Sequence, residues 1–256
     1  MGVSQSPTAT RVDGVSQGRV RALGALGGPV EGLLFDLGDV LYDATLWRRW
    51  LLRVLTQLGV HTSYRSFFHI WDHDFLDDVY RGRREFCEAF EAFLRSVGLS
   101  PGQIDEVEAA CQARRSAWER NVRLLPGVRP TLAKLRAAGV PMGVLSDSEY
   151  PAAVLAERLD RLELAGTFRT VVSSLDLERI KPDPVCYRTA LRAMELPADR
   201  VAFVGHDAEE LAGATDVGMP TIAFNYDADA KADVFLPRFE EILPLVGPPA
   251  SQPGRG

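Results

Sequence analysis

The sequence predicts an α/β fold: a doubly wound parallel sheet into which an all-helical lid is inserted. Three observations predict it. Short apolar runs at 33–35, 140–145, 201–204 and 221–224 are each followed by turn-forming or polar residues, as buried parallel strands are. Stretches of helical period lie between the later runs, so consecutive strands need right-handed crossovers that put helices on both faces. Residues 43–124 show helical period and no convincing strand, which separates them from the alternating remainder as a lid.

The first run, Leu33-Leu34-Phe35, leads into Asp36-Leu37-Gly38-Asp39. In the lid, Leu46, Trp47, Trp50, Leu51, Val54, Leu55 and Leu58 recur at helical spacing and stop at Gly59. Phe86, Phe90, Phe93 and Leu94 repeat the pattern up to Gly98, and Ser100-Pro101 opens a third helix through Ile104, Val107 and Trp118. This aromatic stripe reads as lid core rather than as a cofactor box. Beyond Leu125, Pro126-Gly127 introduces a helix that ends at Gly139, and a strand over 140–145 reaches Ser146-Asp147. A helix at 154–159, a strand at 168–172, a helix at 184–194, a strand at 201–204, a helix at 209–217, a strand at 221–224 and a closing helix at 239–245 follow. The core is therefore assigned to 30–42 and 125–246, the lid to 43–124, and mobile tails to 1–29 and 247–256.

With 46% hydrophobic and 25% charged residues, the 256-residue chain can bury a sizeable core. A net charge of -6 speaks against a general nucleic-acid binder. No apolar run approaches the roughly 18 residues of a spanning helix, and 1–29 lacks the apolar region of a secretory signal. Cys87, Cys111 and Cys186 are odd in number and too widely spaced for a zinc motif, so they read as buried thiols of a cytoplasmic protein. A monomer or homodimer acting on a small molecule is expected.

Four stretches carry chemistry. Asp36 falls at the carboxyl end of the first strand, where open α/β sheets bind ligands and where a fixed carboxylate can attack phosphorus or an activated carbon. A turn-capping aspartate is the alternative at that position. Ser146, also at a strand end, offers a hydroxyl to an anion or to the next helix. Lys181 is stiffened by the prolines of Lys181-Pro182-Asp183-Pro184, which would aim its ammonium. Val204-Gly205-His206-Asp207-Ala208-Glu209-Glu210 is a strand–glycine turn loaded with acids.

In this order, across 32–245, the four stretches resemble the haloacid dehalogenase superfamily of hydrolases. The Lys-Pro-Asp-Pro-x-x-Tyr segment is the most specific piece, and Gly213-Ala214 followed by Gly218-Met219-Pro220 adds to it. The resemblance implies a Rossmann-like core with a helical cap of the C1 type. It implies Asp36 as nucleophile, Ser146 as substrate-anion ligand with Asp147 and Gly38 also at the substrate, and Lys181 as the charge-stabilising lysine. The departures lie in two motifs. Gly38 stands where family phosphatases carry a second aspartate, with Asp39 one step later, and His206 stands where an aspartate normally binds magnesium. Imidazole suits magnesium poorly, so Mg2+ would rest on Asp36, the Gly38 carbonyl, Asp207 and Glu210. His206 or Asp39 would activate the hydrolytic water.

The reading is a phosphatase of a small phosphorylated metabolite acting through an aspartyl-phosphate. One rival is a metal-independent 2-haloacid dehalogenase, for which Arg48 would bind the substrate carboxylate unless it is an ordinary surface arginine. The other is a catalytically silent binding protein. His69 and His73, four apart, would either chelate a metal or belong to a solvated lid face.

Overall fold

The computed structural model describes Leu26, Gly28 and residues 30–247; the tails expected at 1–29 and 247–256 otherwise lie outside the described residues. Gly32–Phe35 (β1) is the central strand of an all-parallel sheet. On one side it pairs with Met142–Ser146 (β2), and β2 pairs with Thr170–Ser173 (β3). On the other side come Val201–Gly205 (β4), Thr221–Phe224 (β5) and Val234–Leu236 (β6). All of β1 is buried, which its lack of polar side chains permits. Successive residues of a strand face opposite sides of a sheet. Leu33 and Phe35 accordingly enter one core with Leu132, Leu155 and Phe239. Leu34 enters another with Tyr187, Met194 and Leu211.

The chain leaves β1 through a loop in which Asp39 takes a left-handed φ of 56°. Its carboxylate accepts a hydrogen bond from the Ala44 N–H at 2.9 Å and so steers the chain toward the first helix. There follow Thr45–Gln57 (α1), Tyr64–Ile70 (α2), Asp77–Tyr80 (α3), Phe86–Ser96 (α4) and Pro101–Asn121 (α5), with a π-helical turn at Trp71–Leu76 joining α2 to α3. Ser100 and Gln103 form a reciprocal capping box, and Pro101 fills the first turn of α5, where no N–H is needed. These helices bury a third core among themselves. Trp71 lies at its centre, with the rings of Phe90 and Phe93 at 5.8 and 4.9 Å between centroids. At the base of this block the outgoing and returning chain run side by side. The Asp43 N–H donates to the Arg123 carbonyl at 3.1 Å, and the Leu125 N–H to that of Leu41 at 2.9 Å.

Beyond Leu125, Val128–Ala137 (α6) and Ala152–Arg161 (α7) cover the face carrying Phe35. After the single turn Ser174–Leu177 (α8), Pro184–Met194 (α9) and Ala208–Asp216 (α10) cover the face carrying Leu34. The closing segment, read as a helix, is 3-10 over Phe239–Leu245; Pro244 inside it lacks the N–H that a further α-turn would use. Strand β6 escapes sequence reading because three residues are too few to show a period. Cys87, read as buried, is exposed on α4, while Cys111 and Cys186 are buried.

Gly213 of α10 meets Pro182. An added Cβ there would stand 2.6 Å from the proline Cβ and 2.9 Å from its Cα and carbonyl oxygen. Alanine in a helix normally gains about 1 kcal/mol over glycine, but overpacking against backbone costs roughly 1–3 kcal/mol. Gly213→Ala is therefore expected to lower the thermal midpoint by a few degrees, as measured by circular dichroism.

Candidate active site

The sheet register lines up the candidate residues. Phe35 is level with Val144 of β2 and Val204 of β4, so Asp36 emerges at the carboxyl edge between the ends of both neighbours. Its own N–H still donates to the Val204 carbonyl at 2.9 Å, which fixes the backbone below a buried carboxylate. Ser146 closes β2 at the same edge, also buried. Lys181 arrives on a segment held at both ends. Its N–H donates to Asp147 Oδ1 at 3.1 Å, and Asp183 caps α9 by accepting from the Val185 N–H at 2.8 Å, with Pro184 in the first turn. The Lys181 ammonium thereby reaches Asp36 Oδ1 and donates to Glu210 Oε2 at 2.6 Å, all three side chains being buried.

Glu210 is bound at every oxygen. Its Oε1 accepts from the backbone N–H groups of His206 at 2.6 Å and Asp207 at 3.0 Å, while Asp207 Oδ1 accepts from Glu209 N–H and Glu210 N–H at 2.8 and 3.2 Å. This is a capping box in which the carboxylates serve the helix N-terminus. Gly205 makes room for it, since a Cβ there would lie 2.6 Å from Glu210 Oε1. The His206 Nδ1 stands 3.2 Å from Glu210 Oε1 and 3.7 Å from Asp36 Oδ2, close enough to pair charges without the alignment of a hydrogen bond. Among the described residues, Asp36, His206 and Glu210 are the only three metal-ligating groups that converge.

The electrostatics follow from burial. Desolvation raises the Asp36 carboxyl above its ordinary value, against the pull of the Lys181 ammonium. Desolvation opposes ionisation of Glu210 as well, but the Lys181 and His206 cations outweigh it and hold that carboxyl well below its usual range. For Lys181, burial favours the neutral amine, yet Asp36 and Glu210 together raise its pKa. Burial likewise pulls His206 down, and the Glu210 and Asp36 carboxylates push it up to about 9. Asp147 is raised to about 7 by burial.

Above this floor opens a cavity of about 680 Å3, walled by the sheet edge on one side and by the helical block on the other. Gly38, Asp39, Arg48, Ser146, Asp147, Asp207 and Glu210 all line it. Arg48 is ion-paired to Asp72 at 2.9 Å. The rings of His69 and His73 are 4.5 Å apart, but no third ligand converges on them among the described residues. Two cavity arginines were not legible in the sequence: Arg115 of α5, bonded to Glu149 at 3.1 Å, and Arg158 of α7, bonded to the Tyr42 hydroxyl at 3.3 Å. Both sit at unremarkable helix positions and are brought to the cavity only by tertiary packing.

A buried carboxylate in contact with an ammonium, at the carboxyl edge of a doubly wound sheet and beneath a helical block, stands where open α/β folds place their ligand sites and goes with a hydrolase. The chain belongs to the haloacid dehalogenase-like hydrolases, whose family model matches residues 30–218. It is 28% identical over 203 residues to a glyceraldehyde 3-phosphate phosphatase of Pyrococcus abyssi, covering 77% of this chain and 82% of that one. It is 24% identical over 241 residues to a phosphoglycolate phosphatase of Shigella dysenteriae, covering 87% and 95%. In fold it is similar to a 2-haloacid dehalogenase from Pseudomonas syringae pv. tomato, with a TM-score of 0.53 and 23% identity over 84% of this chain and 97% of that one.

The raised His206 pKa sets a pH dependence of stability. The folded protein holds the imidazole proton more tightly than the unfolded chain, so this contribution is complete below pH 6.5 and is lost as pH rises to about 9. It amounts to on the order of 2–3 kcal/mol. Urea unfolding of the wild type is expected to show that decline across the window, and His206→Gln is expected to flatten it.

Proposed function

We propose that this hydrolase is a phosphatase of small phosphorylated metabolites, working through an aspartyl-phosphate on Asp36. The observation that carries the reading is the Asp36 carboxylate held against Lys181 at the floor of a cavity, in a chain whose curated relatives include phosphatases. In the first step an Asp36 oxygen attacks phosphorus in line, the phosphorus–ester bond breaks, and the departing oxygen takes a proton. The His206 imidazolium supplies that proton and, once neutral, takes one from the water that attacks phosphorus and frees Asp36. Asp39, the other candidate base, places its Oδ1 on the Ala44 N–H and so supports the turn into α1. Lys181 and the Ser146 hydroxyl hold the transferring group. Residues 43–124 act as the cap that excludes water and selects the substrate, with Arg48, Arg115 and Arg158 facing its anionic parts. The three free thiols go with a cytoplasmic setting.

The donor set does not fit the magnesium ion that the family resemblance implies. Mg2+ demands six oxygens in near-octahedral array. Asp207 turns its carboxylate to the helix N-terminus, both Glu210 oxygens are taken, and an imidazole faces Asp36. The chemistry above accordingly uses the chain's own groups alone.

That aspartate–lysine pair, with an imidazole where an oxygen ligand to magnesium is expected, also favours a second reading, hydrolysis of a carbon–halogen bond. At about 680 Å3 the cavity is large for a short 2-halo acid, which ranks this reading second. Phosphate release from an aryl phosphate is the expected outcome, and Asp36→Asn is expected to lower kcat by about a thousandfold or more while the protein stays folded. Halide release from 2-chloropropionate instead would establish the second reading. Neither product from a folded protein would leave a binding role.

A further inference from the structure

Resting on Asp36 as the nucleophile, we infer that the His206 imidazole takes the place of the divalent ion, so that this site hydrolyses its substrate without a metal. The imidazole Nδ1 lies 3.7 Å from Asp36 Oδ2 and 3.2 Å from Glu210 Oε1, in the gap between the two carboxylates that an ion would have to bridge. An ion entering there finds its anionic ligands engaged. Glu210 Oε2 accepts from the Lys181 ammonium, and Glu210 Oε1 accepts from the two N–H groups that open α10. Asp36 Oδ1 is held by the same ammonium, and Asp207 Oδ1 accepts from the N–H groups of Glu209 and Glu210. Of the two carboxylates that flank this gap, Asp36 and Glu210, Asp36 Oδ2 is the one oxygen that accepts no hydrogen bond among the described residues, and it faces an imidazole.

Softer ions fare no better. One nitrogen and two carboxylates within 4.8 Å could in principle suit manganese or zinc. Recruiting Glu210 would nevertheless uncap α10 and strip Lys181 of a partner, leaving buried donors unpaired at a cost of about 1–3 kcal/mol each. The backbone is shaped for the capping arrangement, because only a glycine at 205 leaves space for Glu210 to fold back. The buried carboxylates of Asp36 and Glu210 already share the Lys181 ammonium, and the His206 ring fills the space beside both.

The test pairs the wild type with His206→Asp, which restores an oxygen ligand at this position. With Mg2+ or Mn2+ at about 10 mM, the wild-type thermal midpoint is expected to stay where it is, since an ion that does not bind does not stabilise. The His206→Asp midpoint is expected to rise. Wild-type hydrolysis of an aryl phosphate is expected to survive EDTA within about twofold, whereas hydrolysis by His206→Asp is expected to need added Mg2+. A metal-induced rise in the wild-type midpoint would overturn the inference. So would one equivalent of tightly held metal in the purified protein, or EDTA-sensitive activity rescued by Mg2+. Should the protein release no phosphate in any buffer, the phosphatase reading falls and the wild-type metal titration still decides this point. If His206→Asp fails to fold, that titration also decides it alone.

Discussion

One buried ammonium organises this molecule. Lys181 joins Asp36, at the end of the central strand, to Glu210, at the start of α10, and its own backbone is anchored to Asp147 beyond β2. Taking three charged groups out of water costs several kcal/mol apiece, and attraction offsets that only when every group is paired in good geometry. The sheet register, the prolines around Lys181 and the glycine at 213 that admits Pro182 are the means by which the chain achieves that geometry. Fold and site therefore share a foundation: the arrangement that keeps the carboxylates tolerable inside the protein also fixes Asp36 at the floor of the cavity.

Glu210 shows how little of a side chain's job its position in a motif reveals. It terminates a helix, pairs with the lysine and sits beside the imidazole, all with two oxygens. Its carboxyl is held far on the ionised side by the cations next to it, while Asp36, sharing the same ammonium, carries the penalty of burial. Two acids in one pocket are thus driven apart in character, a division well suited to giving one a structural task and the other a chemical one.

Much of this was legible in the sequence, because it rests on local signals. The apolar run into Asp36, the proline-stiffened lysine and the glycine turn after β4 each state a strand end or a helix start, and the structure brings all of them to one edge. What escaped needed information that lies far off in the chain. Asp207 reads as a metal ligand in the sequence, and the cap that its Oδ1 gives to its own helix appears only in the structure. Arg115 and Arg158 carry no motif, and only the packing of α5 and α7 delivers them to the cavity. A three-residue edge strand and a proline-bearing 3-10 turn are too short or too irregular to leave a periodic trace.

The paired segments at the foot of the helical block have an architectural meaning. Because Leu41 and Asp43 lie hydrogen-bonded alongside Leu125 and Arg123, the five helices between them begin and end at the same spot. To the sheet, the whole block is topologically no more than a turn between its first strand and α6. Its interior is a separate aromatic core, so a substitution inside it need not disturb the register that sets Asp36 in place. Such a doorway separates the packing of the helical wall from the backbone that carries the cavity floor.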